Sequence, residues 1–228
     1  RNPVLGLRSI RLTLRNVPLF RTQLRALLRA SALGKIRVMF PLITTLKELR
    51  QAKMLLSDVM EDLEEQNIDF DRKIEIGMMA EVPATVILLD RFVEEVDFIS
   101  IGTNDLIQYT LAVDRSNTDV AHMYTASEPA VLRLIRSSIQ IAIKANKPAN
   151  VCGQMSGNIL YTMLLLGFGL RQFSVPPASL LEIKKVICSV TLKQCQRVVR
   201  RAMSMEHALE IRNYLKEELR KQVPELVP

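Results

Sequence analysis

The chain's chemistry-bearing stretch is Asp97-Phe98-Ile99-Ser100-Ile101-Gly102-Thr103-Asn104-Asp105-Leu106. Phe98–Ile101 is a short apolar run with β-branched residues, the pattern of a buried strand. Gly102 ends it, and an amide and a carboxylate, Asn104 and Asp105, follow at once. A second carboxylate, Glu81, ends an earlier run, Ile74–Ala80, and lies 24 residues upstream of Asp105. That interval is roughly one strand–helix–strand step. Neighbouring parallel strands would bring Glu81 and Asp105 to one rim with Asn104 between them. Such oxygen donors are hard ligands, suited to Mg²⁺ shared with a phosphorylated or carboxylated substrate.

Other reactive residue types fall at similar places. Cys152 ends the run Ala149-Asn150-Val151 and precedes Gly153-Gln154. A lone cysteine is commonly a small buried hydrophobe; the glycine beside this one leaves room for a ligand, which fits a proton donor or a nucleophile. Arg115, after Asp114, reads as a phosphate clamp or as half of a surface ion pair. Ser174 lies at the tip of a last apolar run. A single acid at such a place often caps a helix, and for Asp105 alone capping stands as an equal alternative. Four strand tips carrying polar groups favour a site. Cys188 and Cys195 fall in helical stretches and are assigned to packing. His122 and His207 belong to no motif.

The elements that must position these residues alternate. Strands are expected at Ile36–Phe40, Ile74–Ala80, Phe98–Gly102, Ala149–Gly153 and Arg171–Val175. Between and around them lie helices at 18–32, 45–67, 83–95, 106–112, 129–146, 159–166, 179–188 and 191–219. Leu5–Leu12 is undecided between strand and helix start. Alternation of this kind builds a parallel sheet under helices, with ligands at the C-terminal ends of the strands. Five strands and one undecided fall short of a barrel's eight. Either the sheet is open, or the first strands lie upstream of Arg1. The start at Arg1-Asn2-Pro3, without methionine, is read as part of a longer chain.

Hydrophobic residues form 48% of the sequence, enough for a large core, and no apolar run has membrane-spanning length. With no signal peptide and three cysteines lacking any CxxC pair, a cytoplasmic protein with reduced thiols is expected. The net charge of +7 is local. Residues 1–50 carry nine arginines, Lys35 and Lys47 against Glu48 alone, while the remainder is slightly acidic. Nucleic-acid binding is one reading, but no aromatic residues interleave with the arginines to stack bases. Arg21, Arg25 and Arg29 fall at i, i+4 spacing, where like charges repel, and are expected on a solvated helix face.

Gly102 to Arg115, in full Gly-Thr-Asn-Asp-Leu-Ile-Gln-Tyr-Thr-Leu-Ala-Val-Asp-Arg, closely resembles the signature of enzyme I of the bacterial phosphoenolpyruvate:sugar phosphotransferase system. Asn2–Arg11, Gln23–Ser31, Met39–Pro41, Met79–Ala84 and Cys152–Gly157 resemble its other blocks, so the likeness runs to about Val186. Pyruvate phosphate dikinase and phosphoenolpyruvate synthase resemble the chain more distantly. The resemblance implies that residues 1–228 form the C-terminal phosphoenolpyruvate-binding domain, a (β/α)₈ TIM-type barrel lacking its first strands here. It implies Mg²⁺ on Glu81 and Asp105, phosphoenolpyruvate contacts from Arg8, Asn104, Asp105 and Arg115, and Cys152 as the acid that protonates the enolate carbon. It further implies a homodimer, and transfer of the phosphoryl group to a histidine of an upstream domain, then to a phosphocarrier protein.

Two departures stand out. Gln154 replaces the acid of the usual Cys-Gly-Glu, and Asn158 an aspartate. The strand tip Ser174-Val175-Pro176-Pro177 also differs from the usual Ser-x-Ser form. These changes support a second expectation, a barrel retained as a dimerisation or regulatory scaffold with weakened chemistry.

Overall fold

The structure, a computed structural model, describes residues 4–226. Arg1, Asn2 and Pro3, which fall in the expected upstream start and the first resemblance block, lie outside the described residues. The chain opens with helices α1 (Ser9–Arg15) and α2 (Val17–Ser31), so the undecided Leu5–Leu12 stretch is a turn running into a helix. Pro18 lies in the first turn of α2, where the missing N–H leaves no helical bond unmade. Strand β1 (Arg37–Phe40) buries Val38 and Phe40 on one face. Phe20 of α2 meets Phe40 edge-on, ring centroids 6.1 Å apart, and docks α2 on the sheet.

Helix α3 (Leu46–Glu65) begins with a capping box in which Thr45 and Glu48 bond each other's main chain. Leu49, Leu56, Val59 and Leu63 recur at helical spacing and are all buried, each contributing about 1.5–3 kcal/mol of hydrophobic driving force. The arginine stripe of α2 is not simply solvated, contrary to expectation. Arg21 reaches Asp62 at 2.5 Å and Asp58 at 3.4 Å, and Arg25 reaches Gln66 at 2.5 Å. Neighbouring acids on α3 thus answer the repulsion along α2.

Next come β2 (Glu75–Ala80), α4 (Pro83–Ile87), α5 (Leu89–Phe92) and β3 (Phe98–Gly102). The helix expected over 83–95 is broken at Leu88. All five residues of β3 are buried. Helix α6 (Thr103–Leu111) starts on the very next residue. It is followed by α7 (Pro129–Lys144), β4 (Ala149–Cys152), α8 (Thr162–Phe168), β5 (Gln172–Phe173), α9 (Leu180–Ser189), α10 (Leu192–Ala202) and α11 (Ala208–Gln222).

The strands are all parallel and lie in chain order, β1-β2-β3-β4-β5. Sequential parallel strands covered by helices are the β/α units of a TIM-type barrel, here five consecutive ones. Gly77 pairs with Phe98, and a Cβ on Gly77 would lie 2.5 Å from the Phe98 ring, so the register depends on that glycine. Cys195 is fully buried in α10. Cys188 is exposed on α9, so the packing role expected for it is corrected. Among the described residues no helix is long and apolar enough to cross a membrane.

Candidate functional site

Consecutive strands put consecutive tips side by side. Ala80 pairs with Ile101 and Gly102 with Cys152, so Glu81, Gly102 and Cys152 follow one another across the C-terminal rim. Gly102 makes the row possible: a Cβ there would lie 2.7 Å from Glu81 Oε2 and from the Met79 sulfur.

Glu81 is only 5% exposed. Its Oε1 accepts the Leu42 N–H at 2.6 Å. Leu42, in the loop after β1, has φ 54°, a left-handed conformation unusual for leucine. Burial pushes the Glu81 carboxyl up to about 7; the Leu42 bond opposes this, the Asp105 charge adds to it, and Arg8 lowers it. Asp105 is also buried. Its Oδ2 lies 2.8 Å from Arg8 Nη2, and that bond is the main reason the Arg8 guanidinium is held above its ordinary pKa. Arg8 also donates to the Tyr109 hydroxyl at 2.9 Å, which donates in turn to the Val4 carbonyl at 2.9 Å. The capping alternative for Asp105 fails: Gly102 holds the cap position of α6, with no side-chain cap, and the Asp105 carboxylate is bonded to Arg8.

Asn104 is fixed from two sides. Its Oδ1 accepts the Gln154 N–H at 2.9 Å and its carbonyl accepts the Tyr124 hydroxyl at 3.2 Å. Thr103 donates to the Cys152 carbonyl at 2.8 Å. Gly153 must be glycine, because its φ is +95° and a Cβ would lie 2.6 Å from Thr103 Oγ1. These contacts clamp the loop after β4 to the start of α6.

The half-buried Cys152 thiol lies 3.5 Å from Ser100 Oγ and 3.6 Å from the Ile101 carbonyl. Ser100 is itself held 2.7 Å from Asn150 Oδ1. Burial pushes the thiol pKa up, the Ser100 bond pulls it down, and the Glu81 charge raises it further. A thiol that keeps its proton at neutral pH suits proton donation better than nucleophilic attack.

Arg115 stands apart from the carboxylates. Its N–H donates to Gln108 Oε1 at 3.0 Å, and its guanidinium acts on the Tyr124 hydroxyl. Among the described residues no ion pair joins it to Asp114, whose carboxylate accepts from Ser116. Buried Gln108 reaches toward Asp105 as well, at a long 3.5 Å, and so joins the two. The sequence signals Gln108 and Tyr109 only by spacing: they lie three and four residues beyond Asp105, on a shared helix face. Nothing in the sequence pointed to Leu42 or Tyr124. Ser174 contributes its main chain alone in the described contacts, with the carbonyl accepting from Ser156 at 2.5 Å.

Two buried carboxylates pressed together favour either a shared proton or a cation. The donor set of Glu81 and Asp105 fits a hard divalent ion. Among the described residues no third His, Cys, Asp or Glu joins them, so further ligands would be water or substrate. A mostly apolar cavity of about 520 Å³ adjoins the cluster, between Val4, Leu42, Val82 and Tyr109.

Partial barrel and rim together define a class. The family "PEP-utilising enzyme, PEP-binding domain" matches residues 1–192, and the chain belongs to it. It is similar to the phosphoenolpyruvate-protein phosphotransferase of Geobacillus stearothermophilus, 44% identical over 215 residues, covering 94% of this chain and 37% of that protein. The Bacillus subtilis (strain 168) protein of that name is 43% identical over 216 residues, covering 95% and 38%. The Staphylococcus aureus protein is 43% identical over 219 residues, covering 94% and 38%. The chain thus spans little more than a third of the length of these curated relatives. A crystal structure of a citrate lyase from Burkholderia xenovorans LB400 superposes with TM-score 0.55 at 14% identity, covering 91% of this chain and 70% of that one. That likeness concerns the fold alone.

Proposed function

We propose that the chain is the phosphoenolpyruvate-binding part of a phosphoenolpyruvate-protein phosphotransferase of the enzyme I type. The observation that carries this reading is the cluster of Arg8, Asp105 and Glu81 on one rim, with the Cys152 thiol one strand further along. Phosphoenolpyruvate presents a phosphate and a carboxylate at one end and an enol carbon at the other. Arg8, Arg115 and the Asn104 amide are the donors for its anionic groups. Glu81 and Asp105 are the residues that would hold Mg²⁺, which when bound neutralises phosphoryl charge. Cys152 supplies the proton: a C–H bond forms at the enolate carbon as the phosphorus–oxygen bond breaks, pyruvate leaves, and water reprotonates the thiolate. The phosphoryl group goes to a histidine elsewhere in the protein, then to a phosphocarrier protein, as the first step of sugar transport.

The hold on Asn104 does not depend on the side chain at position 154, because it comes from the Gln154 main chain. Asp58 and Asp62 of α3 pair with Arg21, which counts against a nucleic-acid surface there. A homodimer belongs to this reading: exposed Leu5 and Ile87 lie on the segments that also line the apolar cavity. A cytoplasmic location accords with it.

Titration calorimetry with phosphoenolpyruvate, with and without Mg²⁺, tests the proposal. Binding is expected to need Mg²⁺ and to weaken at least tenfold in Glu81→Gln. Binding indifferent to Mg²⁺, or none at all, overturns it.

A further inference from the structure

Helix α11 lies beyond the family match at residue 192. It closes a second cavity, of about 660 Å³, against the loop that follows Cys152. Arg212 and Lys216 line it, one helical turn apart on the same face. Three other cations of this region are answered: Lys185 by Glu225, and Arg197 and Lys221 by Glu218. Among the described residues Arg212 and Lys216 make no ion pair, and no aspartate or glutamate lines the cavity. Gln154 and Asn158 face it as neutral amides. The Tyr161 hydroxyl on the wall is bonded to Ser127 at 2.9 Å, and the Arg212 charge opposes the burial that raises its pKa. Like charges at i, i+4 repel each other, and an anion between them removes that cost. The rest of the wall includes Met155, Leu160 and Leu219. The volume is that of a small-molecule site.

We propose that this cavity is a second binding site, for a small organic phosphate. Arg212 and Lys216 take the phosphate dianion, and Met155, Leu160 and Leu219 take the organic part. The site is separate from the rim, although Tyr124 and Gln154 belong to its wall and also hold Asn104.

Because the rim is itself anion-binding in the reading above, the test starts from Arg8→Gln. Phenyl phosphate is titrated by calorimetry into that protein, and into the same protein carrying Arg212→Gln and Lys216→Gln. One-to-one binding is expected in the first, at least tenfold weaker in the second, and stronger than that of inorganic phosphate. Arg212 and Lys216 are exposed, so their replacement leaves the fold intact, which a thermal melt checks. Should Arg8→Gln fail to fold, wild type is compared with the double variant, and loss of one binding event is the expected result. Absence of binding in the Arg8→Gln protein, equal affinity with and without the two cations, or equal affinity for inorganic phosphate overturns the proposal. Failure of phosphoenolpyruvate to bind the rim would leave this result unchanged, which separates the two readings.

Discussion

Gly102 and Glu81 occupy one space on neighbouring strands: the hydrogen at Gly102 is what lets the Glu81 carboxylate lie over β3. A Cβ at 102 would come within 2.9 Å of the Glu81 Cβ and 2.7 Å of its Oε2. The carboxylate is also tied to Leu42, so it cannot yield without losing that bond.

Gly102→Ala is therefore expected to destabilise the protein by about 1–3 kcal/mol, in the range of core overpacking, and to abolish Mg²⁺-dependent phosphoenolpyruvate binding. Denaturant melts and calorimetry on one preparation check both. Unchanged binding would refute the seat assigned to Glu81.

Glu81→Gln keeps an acceptor for the Leu42 N–H and removes a buried charge. In wild type the folded carboxyl holds its proton to about pH 7, against an ordinary value of 4.5. The folded state then binds more protons than the unfolded state between those limits, so wild-type stability falls as pH rises through them. Relative to wild type, Glu81→Gln is expected to gain stability between pH 4.5 and 7, by up to about 3 kcal/mol, and to hold that gain above pH 7. Metal-free melts at pH 4.5, 6 and 8 test this; a difference that does not vary with pH contradicts it.

Cys152→Ala separates chemistry from packing. As the proton donor, its loss should leave phosphoenolpyruvate affinity nearly unchanged and lower turnover of the whole enzyme roughly 10²–10⁴-fold, the usual weight of general acid catalysis. A lowered melting temperature with unchanged specific activity would mark it as a core residue only.

Gly167 sets the approach of α8 to α10. A Cβ on it would lie 2.5 Å from the Cys195 carbonyl oxygen, a main-chain atom that cannot rotate away. Gly167→Ala is expected to cost about 1–3 kcal/mol and to loosen α10, seen as faster amide exchange there. Wild-type stability in the variant would show that the two helices are free to part.

The sequence by itself determined the strand tips and their chemistry. Each tip follows a buried apolar run of a few residues, and position along a strand is a local property; Glu81, Asp105 and Cys152 could be found that way. The start of the helix at Thr45 was equally local. Tertiary structure alone decided what those groups meet. Arg8 bonds Asp105 across some two-fifths of the chain, a contact no periodicity encodes. Leu42 turns its N–H to Glu81 only because β1 and β2 pair in one register. The arginines of α2 read as solvated because repulsion within one helix is visible in sequence, whereas the carboxylates of α3 that relieve it arrive only through packing. Cys188 and Cys195 show the same limit: both lie in helices, and burial of one and exposure of the other follow from which face α8 covers.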